Sequence, residues 1–398
     1  MNPDLSRLHP YPFEKLAGLL HGIRPPGGLA PLNLSIGEPR HPVPEFLRQA
    51  TAAALDGLGR YPTTRGEPAL SVAIGDWLER RFGLPSGAVQ PSRHFIPVNG
   101  TREALYSIAL AVVDRTGPKR QVLMPNPFYQ IYEGATLMAG GEPYRVDAVA
   151  GNGFLPDYAG VPAEILDRTA LLYLCSPGNP TGAVVPVAGL TRLLELAERH
   201  DFVIAADECY SEIWYDAPPP GLLQAAWEMG WTDFRRCLVF HSLSKRSNMP
   251  GARSGFVAGD AEVLGEYFRL RTYTGCAMPP FVQKAAIAAW GDEGHVEENR
   301  GLYRKKLDDA IAILTPVLPV ARPEAGFYLW LRVPGGGEAF ARRLFAEYNV
   351  TVLPGAYLGR EGGAGNPGAP YVRIALVATV EENRQAMERI ASLARSWS

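Results

Sequence analysis

The chain has 398 residues, 46 % of them apolar and 20 % charged, with 39 Lys plus Arg against 41 Asp plus Glu. That is the make-up of a globular protein long enough for two domains, and its near-neutral balance leaves no basic stripe for nucleic acid or an anionic membrane. No apolar run reaches the roughly 18 to 20 residues that cross a bilayer, no export signal is read at Met1 to Leu5, and four scattered cysteines form no CxxC pair, so a cytoplasmic protein with free thiols and no metal site is expected.

Residues 1–45 are rich in Pro and Gly and read as a segment that packs on the C-terminal unit or on a neighbouring subunit. Over 67–82, Leu70, Ile74, Trp77 and Leu78 recur at helical spacing. A strand follows over 94–98, a helix over 101–113, a strand over 121–124 and a helix over 129–138. Next come a strand over 170–175, a helix over 190–200 and strands over 202–206, 238–241 and 255–258. Short, largely apolar strands alternating with helices predict an α/β domain over 46–290, a mostly parallel sheet covered by helices on both faces. Ligands of such sheets bind beyond the carboxyl ends of the strands. Over 291–398 the pattern becomes a long helix (295–318), strands over 326–333, 350–353 and 371–377, and helices over 338–349 and 381–397, a smaller α+β domain.

The groups that carry chemistry all fall just after strands. Ser242-Leu243-Ser244-Lys245, with Arg253 eight residues beyond the lysine, sets an amine, two hydroxyls and a guanidinium together. Lysine captures an aldehyde, while hydroxyls and arginine hold a phosphate, and pyridoxal phosphate carries both handles. Asp207 closes an apolar strand, where a carboxylate is costly unless paired. It reads either as a structural cap or ion pair, or as the partner of a pyridine-type nitrogen. Tyr210 is an ordinary half-buried tyrosine or a donor to a ring oxygen. Cys175-Ser176-Pro177-Gly178-Asn179-Pro180-Thr181-Gly182 is a tight turn that could present the Asn179 amide. Asn99-Gly100-Thr101-Arg102 opens a helix, where backbone N–H groups face an anion.

In this order the motifs resemble the class I/II aminotransferases of the fold-type I pyridoxal phosphate family, and the likeness runs from Ser35-Ile36-Gly37-Glu38-Pro39 to Tyr371-Val372-Arg373-Ile374. The resemblance implies that Lys245 carries the cofactor covalently, that Asp207 meets the pyridine nitrogen, and that Asn179 and Tyr210 meet the ring oxygen, with Lys245, Asp207 and Tyr210 as the catalytic set. It implies phosphate contacts from Thr101, the backbone N–H of Arg102, Ser242, Ser244 and Arg253, and stacking by Tyr129. Arg373 would bind the substrate α-carboxylate beside Asn179 and Gly37. Tyr61 would reach the phosphate of the other subunit, which implies a homodimer with shared sites. Amino acids and 2-oxo acids would be the small-molecule substrates.

Pro10-Tyr11-Pro12-Phe13, Tyr61-Pro62-Thr63-Thr64-Arg65-Gly66, Ser244-Lys245-Arg246-Ser247-Asn248 and Arg271-Thr272-Tyr273 are similar to bacterial N-succinyldiaminopimelate aminotransferases, although Thr274 stands where that group has His. This implies exchange between N-succinyl-LL-2,6-diaminopimelate and 2-oxoglutarate on the diaminopimelate route to lysine. Arg40, Arg65 and Arg271 are the candidates for the distal carboxylate. The alternatives are another amino acid aminotransferase of the family, or a lyase of the cystathionine β-lyase type.

Overall fold

The computed structural model describes residues 1–397. Its main sheet has seven strands: β1 Phe95–Val98, β2 Gln121–Asn126, β3 Glu142–Asp147, β4 Thr169–Cys175, β5 Val203–Asp207, β6 Cys237–Ser242 and β7 Gly255–Gly259. They lie in the order β1-β7-β6-β5-β4-β2-β3. The strands from β6 to β3 run parallel, and β7 runs antiparallel to both β6 and β1. Side chains alternate across the sheet, as the pleat demands. Leu172, Ile204 and Val239 face a core built on Trp77, Phe256 and Trp290. Tyr173, Ala205, Leu238 and Phe240 face a second core with Ile108 and Tyr132. With both faces covered, β2, β6 and β7 are buried along their whole length, and this is why their central residues read as apolar runs. The carboxyl ends of β4, β5 and β6 bring Cys175, Asp207 and Ser242 to one edge.

The C-terminal unit begins with the helix Gly294–Leu314 and contains a three-stranded antiparallel sheet. Its strands are β8 Tyr328–Arg332, β9 Leu353–Pro354 and β10 Tyr371–Ala375, with β10 in the middle. The helices Gly337–Tyr348 and Val380–Arg395 close its core.

Several elements differ from the reading of the sequence. The N-terminal segment is more regular than its composition suggests. Pro12 starts the helix Pro12–Leu20, a position where its missing N–H costs nothing, and Leu16 packs on Leu353, Tyr357 and Leu358. Leu32–Asn33 pairs in parallel with Val350–Thr351, so the single strand expected over 350–353 is two short pieces. The edge strand β3 is half-buried throughout, and its mixed Glu, Arg and Asp content hid it. The helix Pro280–Trp290 packs on the helices Glu45–Ala52 and Pro68–Phe82. It is apolar on several sides, so it shows little periodicity.

Candidate active site

A cavity of about 550 Å³ opens at the carboxyl edge of the main sheet. Gly37, Thr101, Arg102, Tyr129, Asn179, Asp207, Tyr210, Ser242, Ser244, Lys245, Arg253 and Arg373 all line it. Tyr61 does not; in the single chain its side chain is fully exposed.

One end is built for an anion. Gly100 has φ 81° and precedes the helix Thr101–Val112. A Cβ there would sit 2.3 Å from Arg253 Nη2, so only glycine lets the guanidinium lie against this helix start. The Ser242 and Ser244 hydroxyls are 2.9 Å apart, and Ser242 also caps the turn Leu243–Arg246. Arg253 donates to the Pro250 carbonyl at 3.0 Å and, among the described residues, has no acidic partner. Free helical N–H groups, two hydroxyls and an uncompensated guanidinium make a phosphate cradle.

Asp207, buried at the end of β5, forms the floor. Its Oδ2 accepts from the Tyr132 hydroxyl at 2.8 Å and its Oδ1 from the Cys209 N–H at 3.3 Å. Burial raises its carboxyl pKa, and these donors and His241 oppose the rise without supplying a contacting cation. A protonated ring nitrogen would relieve a carboxylate in that position.

Lys245 follows β6 by one short turn. Its Nζ donates to the Gly37 carbonyl at 2.5 Å. Burial pushes the amine pKa down to about 8; Arg373 and Arg102 add to this, while Cys209 and Glu38 oppose it. Gly37 is required by close approach, since a Cβ there would fall 1.8 Å from the Tyr328 hydroxyl oxygen. The Tyr210 and Tyr328 hydroxyls are 3.0 Å apart, and burial raises the Tyr210 pKa. The Tyr129 hydroxyl accepts from Arg102 Nε at 2.7 Å.

The other end is a second anion position. Arg373, in the middle strand β10, donates to Asn179 Oδ1 at 3.0 Å and to the Ser35 carbonyl at 2.8 Å. It lies over the Tyr328 ring at 4.5 Å, and its Nε has no partner. A buried guanidinium held only by neutral acceptors keeps its charge for an incoming carboxylate.

The three distal arginines do not reach the cavity within the chain. Arg271 is fully buried and gives both carboxylate oxygens of Glu103 a contact at 2.8 Å, so it is already neutralised. Arg65 lies over Phe268 at 4.1 Å and donates to Ser92. Arg40 donates to the Asn33 carbonyl at 3.3 Å. The cavity walls also include Tyr11, Phe13 and Glu38, which stand in the quoted motifs without a role, and Tyr328, which stands in none. Tyr132 behind Asp207 went unnoticed as well. Its three-residue step from Tyr129, one helical turn, says only that the two share a helix face.

A phosphate cradle, a buried carboxylate lacking a cation and a low-pKa lysine between them match the phosphate, ring nitrogen and aldehyde of pyridoxal phosphate. The model of the family "Aminotransferase class I and II" matches residues 30–390. The chain belongs to this family, and its cofactor is pyridoxal phosphate.

Among its relatives is an LL-diaminopimelate aminotransferase of Desulforudis audaxviator, 34 % identical over 395 residues that cover 97 % of this chain and 96 % of the relative. A crystal structure of an aminotransferase from Neisseria meningitidis superposes with a TM-score of 0.95 at 47 % identity, covering 99 % of this chain and 100 % of that one. The aminotransferase AspB of Helicobacter pylori gives 0.90 at 36 %, covering 98 % and 99 %. The relatives' names carry the unsuccinylated diaminopimelate, not the succinylated compound that the motif resemblance implied.

Proposed function

We propose that this aminotransferase moves an amino group between N-succinyl-LL-2,6-diaminopimelate and 2-oxoglutarate. The observation that carries the aminotransferase chemistry is the cavity itself: two guanidinium groups without acidic partners, Arg253 and Arg373, with Lys245 and Asp207 in the same cavity. The phosphate belongs to Thr101, the backbone N–H of Arg102, Ser242, Ser244 and Arg253. Asp207 takes the ring nitrogen, Asn179 and Tyr210 the ring oxygen, Tyr129 a ring face, and Lys245 the covalent attachment. The α-carboxylate goes to Arg373, with Asn179 and the Gly37 backbone beside it. The exposure of Tyr61 supports its engaging a second subunit in a homodimer.

When bound, pyridoxal phosphate supplies the electron sink that makes the substrate Cα–H acidic. Arg373 orients the amino acid through its carboxylate and so fixes which Cα–H faces Lys245. The Lys245 amine, neutral above a pH of about 8, removes the Cα proton and holds it in a largely buried site. Asp207 keeps its negative charge facing the ring nitrogen, and Tyr210 and Asn179 keep donors at the ring oxygen.

The Arg102 guanidinium lines the cavity and, among the described residues, has no acidic partner, which supports a distal carboxylate and so the succinylated substrate. Glu38, which also lines the cavity, suits a distal ammonium, and together with the relatives' names it favours LL-diaminopimelate as the second reading. The test is a panel of amino donors (N-succinyl-LL-diaminopimelate, LL-diaminopimelate, aspartate, tyrosine) with 2-oxoglutarate, read as glutamate formed. The succinylated donor should give the highest kcat/KM. A higher value for free LL-diaminopimelate replaces the first reading with the second, and release of pyruvate and ammonia from cystathionine without glutamate defeats both.

A further inference from the structure

A chain of hydrogen bonds outside the cavity ends on the backbone of the reacting lysine. Lys306, in the helix Gly294–Leu314, is 1 % exposed. Its Nζ lies 2.6 Å from His41 Nε2, and His41 Nδ1 lies 2.7 Å from Asn299 Oδ1. Asn299 Nδ2 donates to the Lys245 carbonyl at 3.2 Å. An ammonium can only donate, so His41 accepts at Nε2 and carries its proton on Nδ1. Asn299 must then accept at Oδ1 and donate at Nδ2. Every donor points the same way, from Lys306 to Lys245, and Asn248 Nδ2 adds a second donor to Asn299 Oδ1 at 3.1 Å. Asn299 and Lys306 are seven residues apart, two helical turns on one face.

The chain also closes into a ring. His41 stands four residues beyond Gly37, whose carbonyl accepts from Lys245 Nζ. The lysine is therefore held at both ends, its carbonyl by Asn299 and its amine by the wall segment that His41 anchors. Nothing in the proton transfer uses these three side chains. Among the described residues Lys306 has no acid within ion-pair distance; Glu382 and Arg40 act on it only at longer range, and burial lowers its pKa to about 8. The Tyr303 ring lies 5.1 Å from Lys306 Nζ and 4.5 Å from the His41 ring. A buried lysine spent on a histidine is expensive for packing alone.

We propose that Lys306, His41 and Asn299 are positioning residues that set the place of the Lys245 amine by clamping its backbone carbonyl and the Gly37 wall together. The proposal rests on Lys245 being the cofactor lysine. It ties the N-terminal segment and the C-terminal unit to the reacting atom, although neither contributes a proton carrier.

The test uses the full-length holoenzyme. Asn299→Asp keeps the acceptor toward His41 and Asn248 and removes the donor toward Lys245. His41→Phe keeps the ring against Tyr303 and removes both nitrogens. Each should lower kcat by roughly 10- to 100-fold with the donor KM changed less than about 3-fold, the signature of misplacement and not of weaker binding. Each should also move the pH midpoint of the bound cofactor's visible absorbance by about half a pH unit or more, because the amine's surroundings change. Lys306→Arg should keep more of kcat than Lys306→Met, since it retains a donor. Wild-type kcat and an unmoved midpoint in both Asn299→Asp and His41→Phe would overturn the proposal, as would a lowered melting temperature with neither readout changed. The absorbance midpoint needs no amino donor, so it tests the clamp even where the substrate reading fails. An absent cofactor band in the wild type sinks the lysine assignment instead.

Discussion

Replacing Arg373 by lysine isolates what the guanidinium geometry contributes. The native side chain spends one N–H of each terminal nitrogen, on Asn179 and on Ser35, and among the described residues no carboxylate neutralises it. A substrate carboxylate can therefore take charge-assisted hydrogen bonds, each worth about 1.5 to 3 kcal/mol. Lysine retains the positive charge but not the planar fork, and it also gives up the stack on Tyr328. Losing one such bond and part of the orientation amounts to about 3 kcal/mol, or ~100-fold in kcat/KM. Arg373→Ala should cost about a further 10-fold by leaving the carboxylate without a cation. The assay is the first half-reaction, followed in a stopped-flow spectrophotometer as the cofactor band decays, with the amino acid and with the amine that lacks its α-carboxylate. Arg373→Lys should slow the amino acid ~100-fold and leave the amine within about 3-fold. An equal loss for both would mean that Arg373 supports the wall and does not bind the carboxylate, and the reasoning would be wrong.

A lysine amine at an ordinary pKa near 10.4 is neutral in about 0.1 % of molecules at pH 7.5. One at about 8 is neutral in roughly a quarter, so cofactor capture by apoprotein should rise with pH through a midpoint near 8 and level off about one unit above it. A midpoint above about 10 would show that burial does not govern this amine. Lys245→Ala should abolish turnover with the fold retained by circular dichroism; normal turnover would exclude the lysine. Asp207→Ala should lower kcat by about 10³-fold or more at saturating cofactor, because the ring nitrogen loses its counter-charge; an unchanged rate refutes that role. Trp77 is fully buried against Trp290, with ring centres 4.6 Å apart, so Trp77→Ala should destabilise by about 3 to 5 kcal/mol in urea unfolding. A change under about 1 kcal/mol would mean the site relaxes around the loss.

The residues legible in the sequence were those whose chemistry is costly without a purpose: a carboxylate ending an apolar strand, a lysine just after a strand and two serines, and an arginine in the apolar run of β10. Tyr132 was not legible, because a tyrosine on the apolar side of a helix looks the same whether it packs or donates to Asp207. Arg271 misled for the opposite reason. Its partner Glu103 is 168 residues away, and nothing local signals that the charge is already spent. Lys306 and His41, 265 residues apart, are likewise visible only in three dimensions.

The site is also not the property of either structural unit. Asp207, Ser242 and Lys245 come from the edge of the main sheet, Arg373 from the C-terminal sheet and Gly37 from the N-terminal segment. Arg373 is held by Ser35 on that segment and by Asn179 on the loop after β4. The N-terminal segment is in turn held to the C-terminal unit by pairing with Val350–Thr351. A carboxylate drawn onto Arg373 would therefore touch a side chain fastened to all three parts. The α-carboxylate is the one group shared by every amino donor and oxo acid acceptor in the reaction, so the place that the three parts together give this guanidinium would orient them all.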